Sequence, residues 1–268
     1  METRAIDTHA HLFLEDFSGD IDAITYRAQQ SCHAVLLPNL DLQTLPSLQR
    51  LLHAYPGFYF GMIGLHPMHV KENYREELSA LEMYLNREPW IAIGEVGLDL
   101  YYTRETQAAQ EEALFIQAEW AKKLHLPLSI HFREALRETL AVLHPLRGEI
   151  RGVFHCFTGT YEEGKAILDS GFYLGIGGVL TYKNATTLQD AVRKIPLSSM
   201  VLETDSPYLA PVPLRGKRNE SSYILHTARV LASLKGLHLE EVLEHTTQTA
   251  TELFRLAEFS APQRHEAK

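Results

Sequence analysis

Three observations predict an α/β fold of the closed (β/α)8, TIM-type barrel class. Short apolar runs alternate with helix-patterned segments from one end of the chain to the other, the rhythm of parallel strands joined by crossover helices. Eight such pairs can be counted, the number that closes a barrel. No glycine-rich loop follows an early strand, so the competing doubly wound open sheet lacks both a dinucleotide fingerprint and a phosphate loop. At 268 residues the chain is longer than a usual domain, yet barrels reach this size around one core.

The elements follow in order. The first apolar run is Ala5 to Leu12, and Asp20 stands where it could cap a helix over Ile21 to Ser31, whose Ile21, Ile24 and Ala28 share a face. Ala34 to Leu37 reads as a buried strand, Leu45 to Ala54 as a helix, Phe58 to Ile63 as a strand and Tyr74 to Asn86 as a helix. Trp90 to Glu95 is the fourth strand, followed by the longest helical pattern, Gln107 to Leu124. Leu126 to His131 is the fifth, with Pro127 near its start, where a missing N–H is tolerated. Helix Glu134 to Leu143, strand Gly152 to His155, helix Glu162 to Asp169, strand Phe172 to Ile176 and helix Ala185 to Lys194 continue the pattern. Strand Met200 to Asp205 is the eighth, with helical regions over Tyr223 to Leu234 and Leu239 to Leu256. No linker interrupts them, so residues 1–259 read as one barrel domain and 260–268 as a polar tail.

Composition sets bounds rather than function. Hydrophobic content of 45% with 22% charged residues is that of an ordinary soluble globular protein. No run is long enough to span a bilayer, and Met1-Glu2-Thr3-Arg4 leads into a strand without a signal-type apolar segment. Cys32 and Cys156 are too few for a disulfide framework, so a cytoplasmic, reducing setting without a membrane partner is expected. The formal charge of −9 argues against salt-driven coating of a polyanion by the whole surface. It leaves room for a nuclease whose bound cations draw phosphate into one cleft.

The chemistry shows in where the reactive side chains fall. Barrel enzymes carry their machinery at the C-terminal strand ends, which here hold His9 and His11 (first), His66 just past the third, Glu95 (fourth), His131 (fifth), His155 (sixth) and Asp205 (eighth). On an extended strand Asp7, His9 and His11 would share one face. Taken singly, His131 or His155 reads as a buried histidine satisfied by backbone, and Glu95 or Asp205 as a solvated carboxylate or helix cap. Taken together and leaving out His66, four histidines and two carboxylates are donors suited to one or two divalent cations. The other nine histidines, among them His53, His144 and His245, read as surface residues.

These residues stand in motifs with a family likeness. Ile6-Asp7-Thr8-His9-Ala10-His11, Gly64-Leu65-His66-Pro67, Gly94-Glu95-Val96-Gly97-Leu98-Asp99, Ile130-His131-Phe132-Arg133, Phe154-His155-Cys156-Phe157 with Gly159, and Leu202-Glu203-Thr204-Asp205-Ser206-Pro207-Tyr208 resemble the successive motifs of the TatD-family metal-dependent deoxyribonucleases. The resemblance runs in order from residue 5 to about residue 219 and implies a metallo-dependent hydrolase-like barrel with two divalent cations at its mouth. By it, His9, His11, Glu95 and Asp205 would hold one ion, and Glu95, His131 and His155 the other, with Glu95 bridging. It implies DNA as substrate, with nucleotides removed from 3′ ends. Zinc, manganese or, less comfortably, magnesium suits such mixed ligands. Arg215-Gly216-Lys217-Arg218-Asn219 fits the family's basic segment, but Ser221 stands where proline is expected, which questions that loop's shape.

Further roles follow from position. Asp205 is the candidate to orient the attacking water and take its proton. His66 and Arg133 are candidates for phosphate, Arg133 equally for an ion pair with Glu134 or Glu138. Lys217 and Arg218 could guide a strand of nucleic acid, and Glu203 and Asp7 could fix histidine tautomers. The runner-up function is an amidohydrolase-type barrel acting on a small molecule or an aminoacyl-tRNA ester or amide, although Glu95 stands where a cyclic-amide hydrolase has a carbamylated lysine. A barrel without turnover would lack ligands, and none is missing.

Overall fold

A computed structural model describes residues 4–260. Its sheet has eight strands in chain order, each parallel to its neighbours: β1 Ala5–Asp7, β2 Cys32–Pro38, β3 Tyr59–Ile63, β4 Ala92–Asp99, β5 Leu128–Arg133, β6 Gly152–Phe154, β7 Tyr173–Ile176 and β8 Met200–Leu202. Between them run α1 Ile21–Ser31, α2 Leu45–Ala54, α3 Tyr74–Glu82, α4 Gln107–Leu124, α5 Leu136–Leu143, α6 Tyr161–Asp169 and α7 Thr186–Lys194. After β8 come α8 Ile224–Lys235, α9 Leu239–Phe254 and α10 Leu256–Ser260. The ring closes where β8 meets β1: Thr8 N donates to Leu202 O at 3.0 Å, Asp205 N to His9 O at 2.8 Å, and Ala10 bridges Ser206.

Strand parity sorts the core into two layers. Ile6, Leu36, Phe60, Met62, Val153 and Val201 point inward and pack with Ala250, Leu253, Phe254 and Leu256, so the end of α9 plugs the N-terminal mouth. The alternate residues, such as Val35, Ile93, Ile130, Leu174 and Leu202, pack outward against the helices. Because both faces of each strand are buried, the strands read as continuous apolar runs. Full burial of one such side chain contributes about 1.5–3 kcal/mol.

Several boundaries shift from those read in the sequence, each for a local reason. β4 runs on to Asp99 because a register shift between Ile93 and Val96 lets it re-pair with β5. Gly97 permits the approach: at φ +139°, a Cβ there would meet the His131 carbonyl oxygen at 1.9 Å. β8 ends at Leu202, and Asp205 follows with φ +57°. α5 starts only at Leu136 because Glu134 has φ +55°, and Arg255 at φ +52° divides the last predicted helix into α9 and α10. α3 stops at Glu82, short of the predicted Asn86. Asp20 takes the N-cap position of α1, but its side chain makes no capping bond and is engaged by Arg218 instead. Of the predicted tail, Ser260 ends α10 and residues 261–268 lie outside the described residues.

Candidate metal centre

The C-terminal mouth of the barrel gathers the predicted side chains. His9 and His11 lie in the extended stretch after β1, His66 after β3, Glu95 within β4, His131 within β5, His155 just past β6 and Asp205 past β8. They line a cavity of about 530 Å³ together with Met68, His69, Asp99, Tyr102, Arg133, Cys156 and Tyr208, although His9 is wholly buried beneath it. That volume suits a ligand of small-molecule size. A groove of about 490 Å³ on the outside, beside Leu140 and Phe172, holds none of these groups.

Glu95 is the centre of the geometry, its two carboxylate oxygens facing different partners. Oε2 lies 3.3 Å from His9 Nε2 and 3.4 Å from His11 Nε2. Those two nitrogens are 3.2 Å apart, and His11 Nε2 is 3.5 Å from Asp205 Oδ1. Oε1 lies 2.8 Å from His155 Nε2 and 3.0 Å from His131 Nδ1, with these nitrogens 3.2 Å apart. His9, His11 and Asp205 form one group with ligand atoms in reach of a common ion; His9, Glu95 and His155 form another. The ion-pair partners of Glu95 and Asp205 are all histidines.

The tautomers can be argued from the outer nitrogens. His131 Nε2 lies 3.0 Å from Asp99 Oδ2, so it carries the proton, and in the neutral ring Nδ1 turns a lone pair toward Glu95. His9 Nδ1 is 3.1 Å from Ser129 Oγ, which leaves Nε2 for the cluster. At His131 a lone pair thus faces the Glu95 carboxylate at 3.0 Å, an arrangement that requires positive charge between them. A divalent cation fits that requirement, and the donor set of imidazoles and carboxylates is of the kind such ions take.

Without a cation the same requirement is met by protons. Burial would lower His131, yet hydrogen bonds from its ring to Asp99 and Glu95 push it up to about 9. Burial would raise Glu95, but the facing charges of His66, His155 and His9 hold it well below the usual carboxylate range. Burial, helped by His155, brings His9 down to about 4. Asp205 is lowered against burial by its hydrogen bond with His11, which in turn is raised against burial by Asp205.

His66 joins the same cluster, with Nε2 3.2 Å from Glu95 Oε1. Its ligand atoms fall within reach of Glu95 and His131, but Nδ1 accepts from Met68 N at 3.1 Å. In the neutral ring, favoured because burial lowers its pKa, Nε2 is therefore a donor and not a ligand. Arg133 lies over the Tyr101 ring at 3.7 Å and forms no pair with Glu138, which is taken by Arg104 at 3.0 Å.

Other expectations are corrected. Asp7 does not share the histidine face: the chain leaves regular strand geometry after it, and its carboxylate accepts from Thr204 N and Oγ1 at 2.9 and 2.6 Å. Glu203 Oε1 accepts from Cys156 N and stays 3.9 Å from His155 Nδ1, so it supports the turn after β6 rather than fixing a tautomer. Gly175 makes room for it, since a Cβ there would lie 2.0 Å from Glu203 Oε2. Arg218 is tied to both Asp20 oxygens at 2.9 and 2.6 Å and stacks on Phe17 at 4.8 Å, which removes it from the set available to substrate. At the loop position where proline is expected, the buried Ser221 begins a 3-10 turn, Ser221–Tyr223.

Sequence reasoning missed Asp99, Ser129 and His69. The last is not a plain surface residue: it pairs with Asp41 at 2.7 Å and lines the cavity. Asp99 had one usable signal, since it stands four residues after Glu95 on a strand whose alternate positions face the site. Asp99→Asn is expected to weaken cation affinity about 10- to 100-fold by loosening His131, as read by titration with Mn²⁺; unchanged affinity would remove Asp99 from the account.

A (β/α)8 barrel with imidazoles and carboxylates gathered at its C-terminal mouth defines the class of metal-dependent barrel hydrolases. The model of the TatD-related DNase family matches residues 6–255, and the chain belongs to that family. It is 34% identical over 252 residues to the uncharacterized metal-dependent hydrolase YabD of Bacillus subtilis, covering 93% of this chain and 98% of that protein. It is 34% identical over 258 residues to a protein of Pantoea vagans named 3′-5′ ssDNA/RNA exonuclease TatD, covering 94% and 99%. Among solved structures, the TatD homologue YjjV of Escherichia coli superposes with a TM-score of 0.89 at 28% identity, covering 95% of this chain and 99% of that one.

Proposed function

We propose that the protein is a divalent-metal-dependent deoxyribonuclease that removes nucleotides from the 3′ end of DNA. The observation that carries this reading is the divided Glu95 carboxylate, one oxygen facing His9 and His11 and the other His131 and His155. In it, His9, His11, Asp205 and Glu95 would hold one cation and Glu95, His131 and His155 the other. Two ions, zinc, manganese or magnesium, would supply Lewis acidity at the water and a counter-charge for the phosphoryl oxygens.

The chain's own groups do the rest. Asp205 Oδ1, on a side chain 14% exposed to the cavity, aligns the attacking water and accepts its proton. His66 Nε2–H donates to a phosphate oxygen, and Arg133, exposed at the rim, offers guanidinium N–H groups to the next. The buried donors beneath exclude bulk water, which strengthens these charges. A cytoplasmic setting belongs to the reading, supported by the two unpaired cysteines, Cys32 and Cys156. Among the described residues no helix is long and apolar enough to cross a membrane.

The test uses protein stripped with chelator and refilled with Mn²⁺, Mg²⁺ or Zn²⁺. Given end-labelled single- and double-stranded DNA beside a panel of esters and amides, it is expected to shorten DNA stepwise from the 3′ end, and only when refilled. Hydrolysis confined to esters or amides would instead support the amidohydrolase reading.

A further inference from the structure

We propose that Tyr102 is a stacking surface for a nucleobase adjoining the phosphate at the metal centre, with Tyr101 as the residue that positions it. The inference rests on the nuclease reading for its substrate class, and on a separate set of observations for its site.

Two large aromatic rings stand exposed in the loop after β4, Tyr101 at 53% and Tyr102 at 69%. Exposed rings side by side at a cavity edge call for a partner. Their placement is held rather than loose: Tyr101 N donates to Asp99 Oδ1 at 3.1 Å, Leu100 N donates to Arg133 O at 2.9 Å, and Asp99 is the register partner of Arg133. The two rings meet edge to face, centroids 4.8 Å apart at 88°. Arg133 lays its guanidinium on Tyr101 at 3.7 Å and lies 5.4 Å from the Tyr102 centroid. A guanidinium stacked by its face keeps its N–H edges free. Phosphate and base are thereby served by neighbouring groups: the Arg133 edge for one, the Tyr102 face for the other. Tyr102 and Arg133 both line the cavity that holds His131 and Glu95.

Charge balance says why such a surface is needed. The chain carries a formal charge of −9, and Arg218 is already committed to Asp20. Stacking on an aromatic ring does not depend on charge, tolerates any base, and is lost by about 5- to 150-fold in affinity when the ring is truncated. A ligand that alternates phosphates with planar uncharged rings is the one this juxtaposition fits.

The test measures binding by fluorescence anisotropy on the full chain as purified. The probes are a labelled eight-nucleotide single strand of thymidines with phosphorothioate linkages that slow cutting, and its counterpart with an abasic 3′ end. Wild type is expected to prefer the base-bearing strand by at least about 5-fold. Tyr102→Ala is expected to erase that preference and Tyr102→Phe to keep it, while Tyr101→Ala reduces it. Equal binding of the two strands by wild type, or a preference that survives Tyr102→Ala, would overturn the proposal. So would a Tyr102→Ala variant that weakens both strands by the same factor, since that reports a structural role. Failure of the nuclease reading looks different: wild type with Mn²⁺ would discriminate between the probes yet leave ordinary DNA uncut.

Discussion

Glu95→Gln is expected to lower kcat/KM on single-stranded DNA by about 10³-fold or more, and to reduce the cations held per chain. Both effects come from one change. Glutamine keeps the shape of the side chain but has no charge and offers a single oxygen, while Glu95 turns Oε2 to His9 and His11 and Oε1 to His131 and His155. A loss of about 4 kcal/mol of charge stabilisation corresponds to that factor in rate. The fold should survive, since Glu95 N still donates to Asn39 O at 2.9 Å and the neighbouring histidines can hydrogen-bond an amide. Steady-state kinetics with metal analysis on the same sample checks both parts. A variant with full activity and unchanged metal content would show that Glu95 bridges nothing.

Asp205→Asn is expected to separate chemistry from metal content. Asparagine retains an oxygen for coordination, so the ions should stay, but it cannot accept a proton. kcat should fall about 10²- to 10⁴-fold with KM little changed. Asp205 stands apart from the other candidate ligands in its backbone, at φ +57°, a conformation uncommon for a residue with a side chain. Its N–H is held by His9 O at 2.8 Å, so the turn after β8 and the stretch after β1 are fastened at the site itself. Near-normal turnover in a variant with both cations would assign the base role elsewhere.

The barrel was legible in the sequence because parallel strands buried on both faces leave runs of apolar residues that are hard to mistake, as Val35-Leu36-Leu37 and Ile91-Ala92-Ile93 do. The candidate site residues were legible by position, since six of the eight strand runs end on, or are followed within a few residues by, a side chain that reaches the mouth. What stayed hidden depends on register and on irregular backbone. Asp99 matters only because a bulge carries β4 past Glu95 and sets Asp99 opposite Arg133. Ser129 matters because β5 passes beside His9. Asp7 misled because period-two alternation was extended beyond the point where β1 ends. Arg218 read as free charge, but its partner, Asp20, lies 198 residues away in the chain.

The central claim is that donors scattered from His9 to Asp205 hold a pair of cations astride one carboxylate. Anomalous diffraction at the manganese edge, from crystals of wild-type protein equilibrated with Mn²⁺, tests it most directly. Two peaks are predicted, one among His9, His11, Asp205 and Glu95 Oε2, the other among Glu95 Oε1, His131 and His155. A single peak bound without Glu95, or no peak among these residues, would contradict it.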